Sequence, residues 1–588
     1  MPKTDLVIRV AGEAGEGVLS TGQLLVQAAA RAGFRVLTDF SPPAEIKGGY
    51  SLFQIRLGSE RFHSRGDTVD VLLAFNQEAY DLSIGDLTEG GLLIYDSAAL
   101  NPPPSPNREQ YAVPLSEIAR TQLRFELGKN VVAVGVLAAL FGLPEEYLQR
   151  LLEQRFGGRG PDVLQKNLAA LQAGLDYVRQ HIITAPGFDR ERFEVARGAP
   201  DANIIVVSGN QALSLGALAA GLNFFAGYPI TPASDIMEFL ASELPKVGGA
   251  VIQAEDEIAS INMVLGAAFA GKRAMTATSG PGFSLMVEGL GLAAMAELPC
   301  VLVDAQRAGP STGMPTRHEQ GDLWLAATGG HGEIQRIVLA PTSVEDCFYQ
   351  IQHAFNLADQ YQMPVIVLHD TVLAVRTESI PRPDPTRIPR RGRLAYQPPG
   401  DGAPPHEGLY LRYALTESGI SPMSVPGQPG GQYVATGLEH NEEGRPRYDP
   451  DTKRAMTEKR MRKLAAAERD APPAEYWGDP DAELGIITWG STAGPVQEAI
   501  ALAAREGIPV AGMAPKMLWP VPAAQIEPFL RGKREVLVAE VNYSGQFASL
   551  LAARFGRAFG RLNAYEGQPF RVRDILAAIR ASATAVVR

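Results

Sequence analysis

Three times along this chain, short runs that are apolar at nearly every position alternate with segments long enough to be helices. This alternation constrains the fold more than any other feature of the sequence. A strand that reads apolar without a break is covered on both faces, and strands joined through helices run parallel, so the expected class is multidomain α/β. The first set of runs lies at 6–10, 35–38, 52–57, 71–75 and 92–95, with helical patterns over 130–181. It marks an α/β domain over 1–185, followed by a linker over 186–202 in which Pro186 and Pro200 stand among charges. The second set, at 204–207, 274–278, 301–304, 337–340 and 365–368, marks a parallel-sheet domain over 203–376. Residues 377–480 break the pattern. They are rich in proline, glycine and charge, and read as a connector with one amphipathic helix near 456–469. A third set at 485–489, 510–513 and 536–540 marks a smaller α/β domain over 481–588.

Composition narrows the function classes. The formal net charge is -11, which argues against a nucleic-acid partner, because affinity for phosphate backbones comes from clustered Lys and Arg. Cys300 and Cys347 are the two cysteines, too few for a disulfide framework or a four-thiolate cluster, so any iron–sulfur cluster is expected elsewhere. No apolar stretch nears the roughly 20 residues of a membrane span, and residues 1–12 carry no cleavable signal pattern. No membrane partner and a cytoplasmic location are expected.

Several turns stand where open parallel sheets place ligand loops, at the carboxyl ends of strands. Gly12-Glu13-Ala14-Gly15-Glu16-Gly17 lies between a strand and a helix and offers backbone N–H groups to a phosphate. Its spacing is not the dinucleotide fingerprint, and Glu13 and Glu16 would repel an anion, so a purely structural turn stands beside a nicotinamide enzyme as a reading. Lys47, with Gly48 and Gly49, is placed to meet a phosphate, or belongs to a solvated surface loop. Gly227-Tyr228-Pro229-Ile230-Thr231-Pro232 precedes a helix expected near Ala233, so Thr231 is either its N-cap or a hydroxyl fixed toward a cleft. Glu255, Asp256 and Glu257 precede an apolar helix expected over 261–270. The helix dipole accounts for two acids, and the third is expected to face a low-dielectric cleft, where a carboxylate holds or transfers a proton. Thr278-Ser279-Gly280 closes a strand with a tight polar turn. Arg307 leaves the end of another, and Arg317 and His318 lie in the long loop after it; each has a surface ion pair as its plain alternative.

The strings Tyr228–Pro232, Glu255–Glu257 and Gly309-Pro310-Ser311-Thr312-Gly313 together resemble the α subunit of the 2-oxoacid:ferredoxin oxidoreductases, with a γ-like domain fused ahead of it. The resemblance covers nearly the whole chain. It implies a γ-type α/β domain, a middle domain of the pyrimidine-binding type for thiamine pyrophosphate, and a C-terminal domain like that of transketolase. By resemblance, Glu257 bonds the aminopyrimidine ring nitrogen, and Tyr228, Pro229, Ile230, Ser279 and Gly280 surround the cofactor. Thr231 is the substrate-side hydroxyl and acts in catalysis with Glu257; Arg307, Arg317 and His318 are the candidates for gripping the oxoacid. Coenzyme A is the implied co-substrate, with Lys47, Gly48 and Gly49 as its candidate contacts. Gly400-Asp401-Gly402 mimics a magnesium–pyrophosphate box but has no strand before it and no suitably placed Asn after it, so it is read as a decoy. No metal is therefore expected on this chain. A β subunit is expected to carry magnesium, the pyrophosphate site and a [4Fe-4S] cluster, in a dimer of αβ heterodimers that passes electrons to ferredoxin. The fused order and the two arginines resemble the 2-oxoglutarate enzymes. Pyruvate or a branched oxoacid, a nicotinamide dehydrogenase and a non-catalytic scaffold are the alternatives.

Overall fold

The computed structural model describes residues 4–42, 48–186, 188–189, 191, 194–398 and 409–586. It divides into two compact units, 1–207 with 375–382, and 208–374 with 383–588.

The first unit is built on an eight-stranded mixed sheet in the order Glu109–Val113, Leu87–Asp96, Val69–Ala74, Asp5–Glu13, Tyr50–Gly58, Arg35–Ser41, Thr377–Pro381 and Ile204–Ser208. The Asp5–Glu13 strand pairs parallel with Val69–Ala74 and antiparallel with Tyr50–Gly58. One face is covered by the helix Lys129–Phe141, buried without interruption from Val131 to Leu140. A helix apolar on every side must be enclosed, and this one is. It crosses the helix Pro161–Tyr177 backbone to backbone: a side-chain carbon at Gly174 would lie 2.1 Å from the Val132 carbonyl oxygen, so the crossing demands glycine. The run at 204–207, expected in the middle sheet, instead forms an edge of this one, and the connector supplies Thr377–Pro381 beside it. A five-residue apolar run carries nothing in its own sequence that selects a sheet edge.

The second unit holds two sheets. The larger has the order Met517–Trp519, Ile337–Leu339, Pro364–Asp370, Cys300–Gln306, Ala274–Thr278, Phe224–Gly227 and Ala250–Gln253. Its strands are parallel except where Met517–Trp519 joins antiparallel to Ile337–Leu339. Every residue of Ala274–Thr278, Cys300–Gln306 and Pro364–Asp370 is buried, as unbroken apolar runs require. The smaller sheet runs Glu475–Gly478, Ala511–Ala514, Leu484–Thr488, Glu535–Glu540 and Gly560–Asn563. Both share one hydrophobic core, in which Ile261, Leu302 and Val338 cluster with Trp489, Leu518 and Phe547. The helix Pro450–Arg469 is fixed to this unit by Lys459 and Lys463, each 2.7 Å from the carboxylate of buried Glu297. No described helix is long and apolar enough to cross a membrane.

Candidate active site

The apolar middle strands change character at their carboxyl ends. Ala274–Thr278 runs into Ser279, Cys300–Gln306 carries Asp304 and Gln306 and runs into Arg307, and Pro364–Asp370 finishes on His369 and Asp370. All of these polar side chains are buried. Several lack partners: the Ser279 hydroxyl, the Gln306 amide nitrogen and Arg307 Nε. Buried polar groups are nearly always satisfied, so a concentration of orphans at the mouth of a parallel sheet marks a place built for a ligand.

The acid box sorts itself by position. The helix starts at Glu257, four residues earlier than expected, because Asp256 is its N-cap and Asp256 Oδ1 accepts the Ala259 N–H at 2.7 Å. Capping is thereby assigned to Asp256, and Glu255 is exposed. Glu257 is 6% exposed. Its carboxylate occupies a notch left by Gly282: a side-chain carbon there would lie 2.3 Å from Glu257 Oε1 and 2.1 Å from Thr278 Oγ1. A carboxylate held in such a notch suits one ring nitrogen of an aminopyrimidine, and the adjoining orphan donors suit further polar atoms; the residues fit thiamine.

Thr231 does not cap the next helix. That helix is Ser234–Glu243, and its N-cap is Ala233 with no side-chain hydrogen bond. The Tyr228–Thr231 segment is largely exposed and is tied from below. Asn210 Nδ2 donates to the Pro232 carbonyl at 2.9 Å, and Asn210 Oδ1 lies 3.1 Å from His369 Nε2. An amide oxygen only accepts, so His369 carries its proton on Nε2. Burial pushes this imidazole down to about 4, with the Asp370 charge opposing, which leaves it neutral near pH 7. Arg307 Nη1 donates to the Thr231 carbonyl at 2.8 Å, so Thr231 and Arg307 come together.

Arg317 returns to the strand end, its carbonyl accepting the Ala308 N–H at 3.0 Å, while His318 goes elsewhere. Arg317 lies against Gly567. His318 is 3% exposed, with Nδ1 3.9 Å from Asp370 Oδ1 and Nε2 3.4 Å from Ser491 Oγ. It joins the two sheets of the unit rather than lining the mouth. Ser279 and Gly280 open the helix Gly280–Met295, and the Asp322 carboxylate fills the space beside Gly280, 3.0 Å from where a side-chain carbon would stand. Asp304, Gln306 and Asp322 received no role from the sequence. Their one signal was polarity at the end of an otherwise apolar strand or in the loop that follows.

In the other unit, the glycine turn is closed by its own carboxylate. Glu16 accepts the Glu13 N–H at 2.8 Å, Asn76 Nδ2 at 2.8 Å and Lys129 Nζ at 2.9 Å. Glu16 thus engages one backbone N–H of the turn and the Lys129 ammonium, while the Glu16 N–H goes to the Glu13 carbonyl. Gly48 packs against Glu13, the Gly49 carbonyl accepts the Ala14 N–H, and Lys47 lies outside the described residues, as does Gly400-Asp401-Gly402.

Similarity to known proteins agrees with this geometry. A chain of Aeropyrum pernix named 2-oxoacid:ferredoxin oxidoreductase 2, subunit alpha, is 33% identical over 93% of this chain and 93% of its own. The chain belongs to the 2-oxoacid:ferredoxin oxidoreductase family. Within this family it is of the alpha type, and three family models account for most of its length. Residues 7–177 match pyruvate ferredoxin/flavodoxin oxidoreductase. Residues 215–459 match the thiamine diphosphate-binding part of pyruvate flavodoxin/ferredoxin oxidoreductase, and 482–567 match core domain II of pyruvate:ferredoxin oxidoreductase. The 2-oxoglutarate oxidoreductase subunit KorA of Mycobacterium tuberculosis is 34% identical over 98% of this chain and 91% of its own. A solved structure, 2-oxoglutarate:ferredoxin oxidoreductase from Magnetococcus marinus with 2-oxoglutarate, coenzyme A and succinyl-CoA bound, is 43% identical. It has a TM-score of 0.91 and covers 99% of this chain and 100% of that one. A 2-oxoacid:ferredoxin oxidoreductase is an oxidoreductase that uses thiamine diphosphate, and the middle sheet with Glu257 at its mouth lies in the segment that binds it.

Proposed function

We propose that this chain is the fused γ–α subunit of a 2-oxoglutarate:ferredoxin oxidoreductase, which converts 2-oxoglutarate and coenzyme A to succinyl-CoA and CO2 and passes two electrons to ferredoxin. The observation that carries the catalytic reading is Glu257, buried in the Gly282 notch at the mouth of the thiamine diphosphate-binding sheet. Substrate choice rests on the likeness to the M. marinus enzyme along the full chain.

Bound thiamine diphosphate supplies the carbon nucleophile that a 2-oxoacid needs in order to lose CO2. The residues of this chain hold it and its substrate. Glu257 keeps a proton at the aminopyrimidine ring nitrogen, an interaction strengthened by burial because the carboxylate has little water to compete for it. Tyr228, Pro229, Ile230, Ser279 and Gly280 form the wall around that ring. Arg307 offers its planar fork to the oxoacid carboxylate, and its Nη1 contact with the Thr231 carbonyl sets the Thr231 hydroxyl beside the same substrate. Arg317, tied to the C-terminal segment, is the second cation for the distal carboxylate of a dicarboxylic substrate.

Magnesium, the pyrophosphate site and the [4Fe-4S] cluster belong to a β subunit in this reading. Both cysteines here are buried and separate, and two thiolates do not hold a four-iron cluster. The test is to produce the chain with its β partner and offer a panel of oxoacids with coenzyme A and a viologen acceptor. We expect kcat/KM for 2-oxoglutarate at least about tenfold above that for pyruvate, a difference a second charge-assisted contact readily supplies. Turnover of pyruvate with no turnover of 2-oxoglutarate would overturn the substrate assignment.

A further inference from the structure

Two carboxylic acids that the mechanism above does not use meet at the mouth of the middle sheet, one of them within the field of Arg307. Asp304 lies on the strand Cys300–Gln306, in register with Thr278, and is fully buried. Asp322, just ahead of the helix Leu323–Thr328, has its backbone N–H bound to Gln306 Oε1 at 3.1 Å and its carboxylate against Gly280. The two carboxyl groups are in hydrogen-bond contact. No other donor reaches either oxygen of Asp304 or Oδ2 of Asp322. Two ionised carboxylates in contact and out of water repel each other without compensation, whereas one proton between them satisfies both.

The surroundings say where the proton sits. Burial pushes Asp304 well up, and the Asp322 charge and hydrogen bond push it further, so Asp304 keeps the proton. Burial also raises Asp322, to about 6, with Glu319 adding to the rise and the Asp304 hydrogen bond and Arg307 opposing it. The Glu257 carboxylate and the Thr278 hydroxyl meet at Gly282, and His369 and Asp370 close the neighbouring strand. Arg307 is the cation acting on Asp322, and it is the group offered to the substrate.

We propose that Asp304 and Asp322 share one proton beside Arg307, and that an oxoacid carboxylate binding at Arg307 draws a second proton from solvent onto the pair, so that substrate capture is coupled to proton uptake. This rests on the assignment of Arg307 as a substrate-binding group. An anion arriving at Arg307 takes over the positive charge that stabilised ionised Asp322, and the acid responds by binding a proton. Asp304 and Asp322 are positioning residues here, since they act through Arg307. The sign follows from linkage: over the pH range in which Asp322 is ionised in the free enzyme and protonated in the complex, each bound substrate brings a proton with it, so KM rises with pH, at most tenfold per unit.

The assembled enzyme, with its β subunit and thiamine diphosphate, is titrated with the oxoacid its panel selects. Calorimetry near pH 7.5 in two buffers of different ionisation enthalpy is expected to give uptake approaching one proton per site, and none in Asp322→Asn. In that variant KM should be flat with pH and, above pH 7, lower than in the unaltered enzyme, which structural damage would not produce. Infrared spectra of the substrate-free enzyme at pH 7.5 should contain a protonated-carboxyl band that is lost in Asp304→Asn. Zero uptake in the unaltered enzyme, equal uptake in Asp322→Asn, or absence of the infrared band each overturns the proposal. Selection of pyruvate by the panel overturns the substrate reading and leaves these measurements in force.

Discussion

Glu257 differs from its two acidic neighbours only in what surrounds it. Asp256 is engaged by the helix end, Glu255 is exposed, and the Glu257 carboxylate is shut into the Gly282 notch. Replacing it with Gln keeps the volume and removes the proton acceptor. Glu257→Gln in the assembled enzyme should lower kcat by about 10²- to 10⁴-fold, the usual range for a proton-transfer group, with an unchanged melting temperature. Retained turnover would return the chain to a scaffold role. Gly282→Ala tests the same notch from the other side, because its new carbon meets Glu257 and Thr278 and should cost activity before it costs folding. The surplus of acids over helix-capping needs was readable from the sequence, and so was the burial of one of them. Asp304 and Asp322 were not, because their meaning depends on a contact between a strand and a loop 18 residues apart, and nothing in the spacing announces it.

Strands and helices were more legible than their partners. The runs at 274–278, 301–304 and 365–368 became fully buried strands because continuous apolarity admits few other outcomes. The helix expected near 456–469 begins earlier, at Pro450, where Asp449 Oδ1 accepts the Thr452 N–H at 2.8 Å. Its Lys459 and Lys463 point inward onto Glu297, more than 160 residues away in sequence. Burial alone would raise Glu297, but Lys463, Lys459 and Arg412 together hold it far below the usual carboxylate range. A carboxylate depressed in the folded state contributes stability that is complete above its unfolded value, near 4.5, and is lost as the pH falls toward the folded one. Glu297→Ala leaves two ammonium groups buried without their counter-charge and should destabilise the second unit by about 3–5 kcal/mol at pH 7. Chemical denaturation checks both points: the unaltered protein should lose stability as the pH falls below about 4.5, and at pH 7 the variant should unfold at lower denaturant than the unaltered protein.

At the scale of the molecule, the C-terminal segment looked like a separate small domain because its own strands alternate with its own helices. One face of its sheet has a core of its own, with Val496, Ile500, Phe570 and Ile579, but the other does not. Trp489, Leu518, Val521, Ile526 and Phe547 lie in the same buried cluster as Leu323, Val338 and Leu302 of the middle sheet, and Met517–Trp519 is an edge strand of that sheet. Alternation within a stretch reports how the stretch folds and says nothing of what it packs against, so the merging of these two α/β layers lay beyond sequence reading. The consequence is measurable. Removing the C-terminal side chains uncovers Leu302, Leu323, Val338 and their neighbours, and each large apolar side chain exposed forfeits roughly 1.5–3 kcal/mol, a sum comparable to the 5–15 kcal/mol that holds a typical domain together. A chain ending at residue 480 should therefore lack a cooperative thermal transition for the second unit, and the middle sheet should be digested by protease under conditions that spare it in the full chain. A sharp transition and an intact middle sheet in the shortened chain would mean that the thiamine-binding layer folds without the C-terminal one. The ligand loops would then owe nothing to the contacts that His318 and Gln320 make with Ser491, Val541 and Asn542.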